Sequence, residues 1–341
     1  MKKTKYYDKA VNICIQPDPY FLYELPRGSF MALHNDIDVI RDESGEIVKD
    51  CSGYRFKIYK EGVIPEQVPV GTVVVDKNLL QLNVSGHYWH FHHETLGQFL
   101  IYKDLNVFDR ISPENTAILL TRTVPYDFAK DAFKHVFGFD ITEYEMILVK
   151  KNTLYTTTKD LIASTKTSTA GVLPLSYFSE KLAKYLVPEE NPTDFIYISR
   201  DDSDCRLLLN QDEILQYLNE NGIPIRKVTM TGMPYLEQVN LFRNSKLVIT
   251  ISGSGSTNQI YCNPDKSKVL FIAPKKGALN CSSYTAKKMN MGCTTLEGHE
   301  NFTPENKHRA SDPTCANFKL LKEDVLKVVQ DLLADKNIYA D

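Results

Sequence analysis

Apolar positions along the chain fall into two rhythms. Thr72-Val73-Val74-Val75, Ala117-Ile118-Leu119-Leu120 and Met146-Ile147-Leu148-Val149 are short continuous apolar runs, which predict buried strands. Between the first two runs the period changes, and a helix is predicted over about Tyr88 to Tyr102. A second helix, about Tyr126 to Val136, separates the next two. Strands alternating with helices predict a parallel sheet with crossover helices. Residues 1–70 mix short apolar runs with Pro, Gly and Asp and yield no ordered set of elements. A further helix is predicted near Ser176–Leu186, ahead of the linker-like stretch Pro188-Glu189-Glu190-Asn191-Pro192.

A second α/β unit follows. The strand Phe195-Ile196-Tyr197-Ile198-Ser199 is succeeded by a helix with a recognisable start, Asn210 as N-cap and Glu213 three residues on. Ile214, Leu215 and Leu218 form its apolar stripe, and Asn221-Gly222 is a left-handed stop signal. The next helix opens at Pro234 and is expected to bury Val239 and Phe242. The strand Lys246–Ile251 then runs into Ser252-Gly253-Ser254-Gly255-Ser256-Thr257-Asn258. Residues 275–315 read as loops, and Leu320 to Leu333 as a final amphipathic helix. The fold class expected is α/β, with two Rossmann-like domains facing each other across a cleft. The boundaries expected are 1–187, 188–315, and a C-terminal helix over 316–341 that packs back on the first domain.

Composition narrows the function classes. A formal net charge of -3 gives no basic excess for nucleic acid. No apolar stretch reaches the roughly 18 residues of a membrane helix, although peripheral attachment to a membrane stays compatible. The N-terminus has lysines but no apolar core of a signal peptide, and the 7 cysteines are scattered without a CxxC pair. A cytoplasmic location with reduced thiols is expected. Asn83-Val84-Ser85 and Asn301-Phe302-Thr303 match the glycosylation acceptor pattern and are read as chance matches.

Three groups of residues could carry chemistry. The glycine run after Ile251 lacks the third glycine of GxGxxG, which Asn258 replaces, and no Gly-Lys pair follows as in a P-loop. It can still offer backbone amides to an anion at a helix start, or serve only as a tight turn. Arg200 follows a strand directly and Arg206 lies in the next loop. Their planar forks suit phosphate oxygens, unless Asp201, Asp202 or Asp204 merely neutralises them at the surface. Asp202-Ser203-Asp204 matches an Asp-x-Asp metal clamp by letter and is read as solvated neighbours of the arginines. The third group is Gly86-His87-Tyr88-Trp89-His90-Phe91-His92-His93-Glu94. On a helix, His90 and Glu94 share a face. A zinc site, a general base with its orienting partner, and a helix start of buried, hydrogen-bonded histidines all remain open.

Together these pieces resemble glycosyltransferase family 61. That family's first motif is matched by Tyr88, His90 and Glu94. Its paired arginines and Asn-x-x-Glu are matched by Arg200, Arg206, Asn210 and Glu213. Glu237-Gln238 and Leu241-Phe242 match its third motif, and Ser252–Asn258 with Pro264 its fourth. The resemblance covers about residues 70–275, and Ser252 stands where the family usually has His. It implies an inverting enzyme of GT-B architecture that needs no metal or other cofactor. The donor, expected to be a UDP-sugar, would bind at Arg200, Arg206, Gln238, Ser252, Gly253, Ser254, Gly255, Ser256, Thr257 and Asn258. A glycan acceptor would meet His87, Tyr88 and His93, with His90 or Glu94 as the base. Surface-polysaccharide assembly is the expected setting. A non-catalytic glycan- or nucleotide-binding protein on a degenerate transferase scaffold is the alternative, and the sequence does not fix an oligomeric state.

Overall fold

The computed structural model describes residues 1–7, 20–32, 37–48, 53–54, 69–121, 123–164, 189–275, 283, 286–287, 289–304 and 311–335. The side chains of Trp89, His93 and Glu94 and the helix expected near 176–186 lie outside that description. The chain divides into two compact units, Met1–Pro174 and Leu175–Asp341.

The first unit contains two sheets. Its strands are β1 (Lys2–Tyr7), β2 (Tyr20–Pro26), β3 (Ser29–Ala32), β4 (Ile37–Arg41), β5 (Gly53–Tyr54), β6 (Gly71–Val75), β7 (Asn78–Leu82), β8 (Thr116–Leu120), β9 (Glu145–Leu148), β10 (Thr153–Thr157) and β11 (Asp160–Ser164). One sheet has the order β1-β2-β11-β7-β8-β9, the other β5-β4-β3-β10-β6. β11, β7, β8 and β9 run parallel, and β2 joins β11 antiparallel. β8 is buried at every position, which explains its unbroken apolar run. The sheets share one core, in which Leu79, Leu119 and Leu161 of the first meet Phe30, Ile40 and Tyr155 of the second.

This arrangement corrects the sequence reading at one strand. Thr72–Val75 does not open the parallel sheet. It lies in β6, paired with β10 of the second sheet, and four of its five residues are exposed. The strand that feeds the crossover helix is β7, whose run is interrupted by Gln81. That helix comprises α-helical Tyr88–His90, a π-helical turn over Phe91–Thr95 and α-helical Leu96–Asp104. The second crossover also combines an α-helical segment, Asp127–Asp131, with a π-helical turn, Ala132–Val136.

The second unit is built on a parallel sheet of β12 (Asp194–Ile198), β13 (Ile225–Val228), β14 (Ser245–Ile251), β15 (Lys268–Ala273) and β16 (Gly292–Glu297), in the order β13-β12-β14-β15-β16. β16 is a second correction, because residues 275–315 were expected to be loops; β17 (Glu300–Phe302) and β18 (Asn317–Lys319) form a further small ladder. The Gln211–Glu220 helix buries Ile214, Leu215 and Leu218, and Gly222 ends it at a φ of 80°. The Tyr235–Arg243 helix buries Val239 and Phe242. The last helix, Lys322–Leu333, packs Val325, Val329 and Leu332 into the core formed by Leu218, Leu247, Ile249 and Ile272. Within this unit it contacts the Gln211–Glu220 helix, β15 and β16.

Asn210 explains part of that docking. It stands at the helix start but makes no side-chain cap. Its amide donates to Leu320 O at 2.8 Å and its carbonyl accepts from Leu320 N at 3.3 Å, while Glu213 pairs with Lys322 at 3.0 Å. The expected capping pair therefore holds the last helix instead.

Candidate donor and base sites

In the second unit, the strand order reverses between β12 and β14. The carboxyl ends of strands at such a reversal are where α/β sheets bind ligands. Ile198 pairs with Thr250, so Arg200 and Ser252 emerge side by side, each two residues further on. The structure brings these residues together. Arg206 Nη1 donates to Ser252 O at 2.7 Å. Arg200 lies against Gly253 so closely that a Cβ there would collide with its Nη1. Arg200 Nη2 donates to Ser203 Oγ at 2.7 Å and its Nε to Cys205 O at 3.3 Å. Arg206 has a positive φ of 59°, and its N–H is held by Cys315 O at 3.2 Å.

All of these acceptors are neutral, and among the described residues neither arginine is ion-paired. Burial, followed by the charge of Arg206, pulls Arg200 below the usual guanidinium value. The two guanidinium groups rest on neutral acceptors, with the charges of Asp202 and Asp312 near enough to act on Arg200 and Arg206 respectively, and they make a candidate place for an anion. Among the described residues, two further atoms, Arg206 Nε and Thr257 Oγ1, are buried and find no hydrogen-bond partner.

The glycine run is a 3₁₀-helix, Ser254–Tyr261, rather than a loop ahead of an α-helix. Ser256 closes its first turn, with its N–H and Oγ both donating to Gly253 O, at 3.2 and 2.7 Å. The amides of Ser254 and Gly255 stand at the helix start, where intrahelical acceptors run out. Asn258 is fully buried, and its amide donates to Gln238 Oε1 at 3.1 Å. Gln238 in turn donates to Met233 O at 2.8 Å, so this pair braces the helix from beneath. Asp202 accepts from Thr231 Oγ1 and Asp201 pairs with Lys227 at 2.7 Å, although the Asp202 charge still acts on Arg200 and partly offsets the lowering of its pKa.

The histidine cluster lies in the first unit, beyond the carboxyl end of β7. His87 and His90 meet edge to face with ring centroids 5.1 Å apart, and Tyr88 packs on Phe128 at 5.1 Å. His92 fits the buried, hydrogen-bonded reading. It is fully buried, its Nδ1 lies 2.8 Å from Tyr88 O, and burial lowers its pKa to about 4. It is neutral at pH 7 and donates from Nδ1. His93 and Glu94 lie on the π-helical turn. A π-turn widens the helix by one residue and is common at functional sites.

A buried polar brace, not foreseen from sequence, fixes this helix start. Gln98 accepts from Asn83 N at 2.8 Å and donates to Gln81 Oε1 at 2.7 Å. Thr95 Oγ1 accepts from Ser85 N at 3.1 Å and donates to Asn83 O at 2.8 Å. Thr121 Oγ1, just past β8, donates to Asn83 Oδ1 at 3.1 Å. Polar residues interrupting the apolar runs at 81, 95 and 98 were the available signal. Asn83 is 2% exposed, which removes it as a glycosylation acceptor.

Among the described residues, no group of three or more His, Cys, Asp and Glu could hold a metal ion, and no helix is long and apolar enough to cross a membrane. A comparison with curated proteins found no match. A family model described as glycosyltransferase 61 matches residues 88–270, just over half of the chain. The matched span begins at Tyr88 and contains His90, both arginines and the whole Ser252–Asn258 helix start. The chain belongs to the glycosyltransferase 61 family.

Proposed function

We propose that this protein is an inverting glycosyltransferase that moves a sugar from a nucleotide-sugar donor to a glycan hydroxyl. The second unit holds the donor and the first the acceptor, as two Rossmann-like domains of a GT-B enzyme. The observation that supports this reading is the Arg200–Arg206 couple resting on Ser252 and Gly253 at the strand-order reversal.

In the reaction, the acceptor oxygen attacks the anomeric carbon from the face opposite the diphosphate. The new C–O bond forms as the bond to the diphosphate oxygen breaks, and the nucleoside diphosphate leaves with the electron pair. Negative charge grows on that oxygen, where Arg200, Arg206 and the amides of Ser254 and Gly255 stabilise it. Ser256, Thr257, Asn258 and Gln238 keep those amides in place. The acceptor proton passes to His90 or Glu94, a pair one turn apart in which one orients the other or both face the acceptor. His87, Tyr88 and His93 shape the acceptor site. The arginine charge does the work a metal does elsewhere, so no cofactor is required. A UDP-sugar is the expected donor, surface-polysaccharide assembly in the cytoplasm the expected setting.

A thermal-shift screen against UDP-, GDP-, CMP- and dTDP-sugars tests the donor site. Ligand at a hundred times its dissociation constant stabilises the fold by about 2.7 kcal/mol. No shift with any donor would count against the proposal. Ser252, in the place of the family's usual His, favours the alternative of a non-catalytic binder, for which a shift would come without release of nucleoside diphosphate.

A further inference from the structure

The geometry points to Tyr126 as a stacking platform for a pyranose ring of the acceptor. This inference rests on the transferase reading and deepens its acceptor side. Tyr126 is 52% exposed, yet its position is fixed from three directions. Its carbonyl accepts from Ala129 N at 2.9 Å and Lys130 N at 3.0 Å, which ties it to the first turn of the Asp127–Asp131 helix. Its ring edge rests on Gly86, where an added Cβ would meet Tyr126 Cε2 at 2.5 Å. Its ring lies within 9° of parallel to that of Phe128, with centroids 6.0 Å apart. Phe128 continues inward to Tyr88 and the fully buried Phe91, both at 5.1 Å.

A row of aromatic rings thus runs from the core of the first unit to its surface. It ends in a half-exposed phenol ring beside His87, the residue after Gly86. A single exposed aromatic is ordinary. This one caps the aromatic row, seated against a glycine backbone on the loop next to the candidate base, with half of its surface left open. The place is set by topology, since Leu82 at the end of β7 pairs with Leu120 at the end of β8. Gly86 leaves the first of these ends and Tyr126 the second. Val124, on the same connection, is 54% exposed.

Pyranose rings suit such a surface. One face of the ring carries axial C–H groups with partial positive charge, and an aromatic face is electronegative. The hydroxyls around the ring edge stay free for polar partners, and the phenol OH can supply one.

The test uses the full chain and saturation-transfer NMR with the methyl glycosides of glucose, galactose, mannose and N-acetylglucosamine. Wild type should transfer saturation to the axial C–H protons of at least one glycoside. Tyr126→Phe should retain the signal, because the ring face remains. Tyr126→Leu and Tyr126→Ala should lose it at an unchanged melting temperature. Gly86→Ala, which displaces the ring, should weaken it. In a transfer assay, Tyr126→Ala should raise acceptor KM about tenfold with little change in kcat. No glycoside signal in wild type, or equal signals in wild type and Tyr126→Ala, would overturn the inference. Nucleoside diphosphate release at an unaltered acceptor KM in Tyr126→Ala would overturn it while leaving the transferase reading intact. Glycoside binding through Tyr126 without release from any donor would support the platform and sink the transferase reading.

Discussion

Gly253→Ala and Gly255→Ala together probe how closely the donor approaches the second unit's backbone. Gly253 has an extended φ of 174°, which alanine adopts without strain, so the substitution acts through space. The added Cβ would collide with Arg200 Nη1, while Arg200 Cζ at 3.4 Å and Ile251 O at 3.8 Å are in ordinary contact. The guanidinium is the far end of a flexible side chain, so it moves and the strand does not. Displacement of a positioning group by about 1 Å can cost on the order of a hundredfold in rate. That corresponds to about 2.7 kcal/mol of transition-state stabilisation. At Gly255 the nearest atoms are Met230 Cγ at 3.9 Å and Ile198 Cγ2 at 4.0 Å. Among the described residues nothing resists a methyl group there, so folding stability should change by less than about 0.5 kcal/mol. A ligand lying on the neighbouring amides would meet it directly. Scanning calorimetry reports the fold, titration calorimetry with UDP the site, and nucleoside diphosphate release the chemistry. Gly253→Ala should lose turnover about a hundredfold, and Gly255→Ala should lose donor affinity with the fold intact. Full UDP affinity and turnover in both variants would refute the placement of the diphosphate.

Other substitutions address the remaining roles. Arg200→Ala should abolish nucleoside diphosphate release and Arg206→Ala should slow it by about two to three decades, with Arg200→Lys giving no rescue; near wild-type rates would remove both from the site. His90→Ala or Glu94→Gln should cost about two to four decades in turnover at an unchanged donor dissociation constant, more than His93→Ala does; if both keep their turnover, the base lies elsewhere. Turnover should persist in EDTA, whereas a loss restored by manganese or magnesium would make Asp202 and Asp204 metal ligands. His92 adds a pH dependence to stability. Its folded pKa of about 4 lies below the unfolded value near 6.5, so the unfolded chain binds the extra proton between them. Stability is therefore full above pH 6.5 and falls as the pH drops towards 4, by up to about 3 kcal/mol. Urea unfolding at pH 4.5 and pH 7 should show this fall in wild type and less of it in His92→Gln; equal falls would contradict it.

The second unit was the more legible half. Its helices carry apolar stripes at helical spacing, and its strands are short aliphatic runs bounded by polar residues. Arg200 and the glycine run stood out for the same reason, as charge and glycine directly after a buried strand. The first unit resisted reading where burial and polarity part company. β7 was missed because Gln81 breaks its apolar run, although that amide is buried and bonded to Gln98. Thr72–Val75 was misplaced because a β-branched run has the same pattern on an exposed edge as in a core. Long-range partners left no local trace. The bonds of Arg206 to Ser252 and of Asn210 to Leu320 cross 46 and 110 positions of sequence. Asn210 followed by Glu213 has the letters of a helix cap, and only the path of the last helix shows where both side chains go.

In the proposed reaction Arg200 and Arg206 hold the diphosphate of a sugar donor that this protein consumes. The most direct measurement is release of nucleoside diphosphate from the donor selected by thermal shift, with a panel of glycan acceptors, for wild type and Arg200→Ala side by side. Acceptor-dependent release by wild type, lost in a folded Arg200→Ala protein, is the predicted result. Equal release by the two proteins, or none from any donor by wild type, would contradict that role for the arginines.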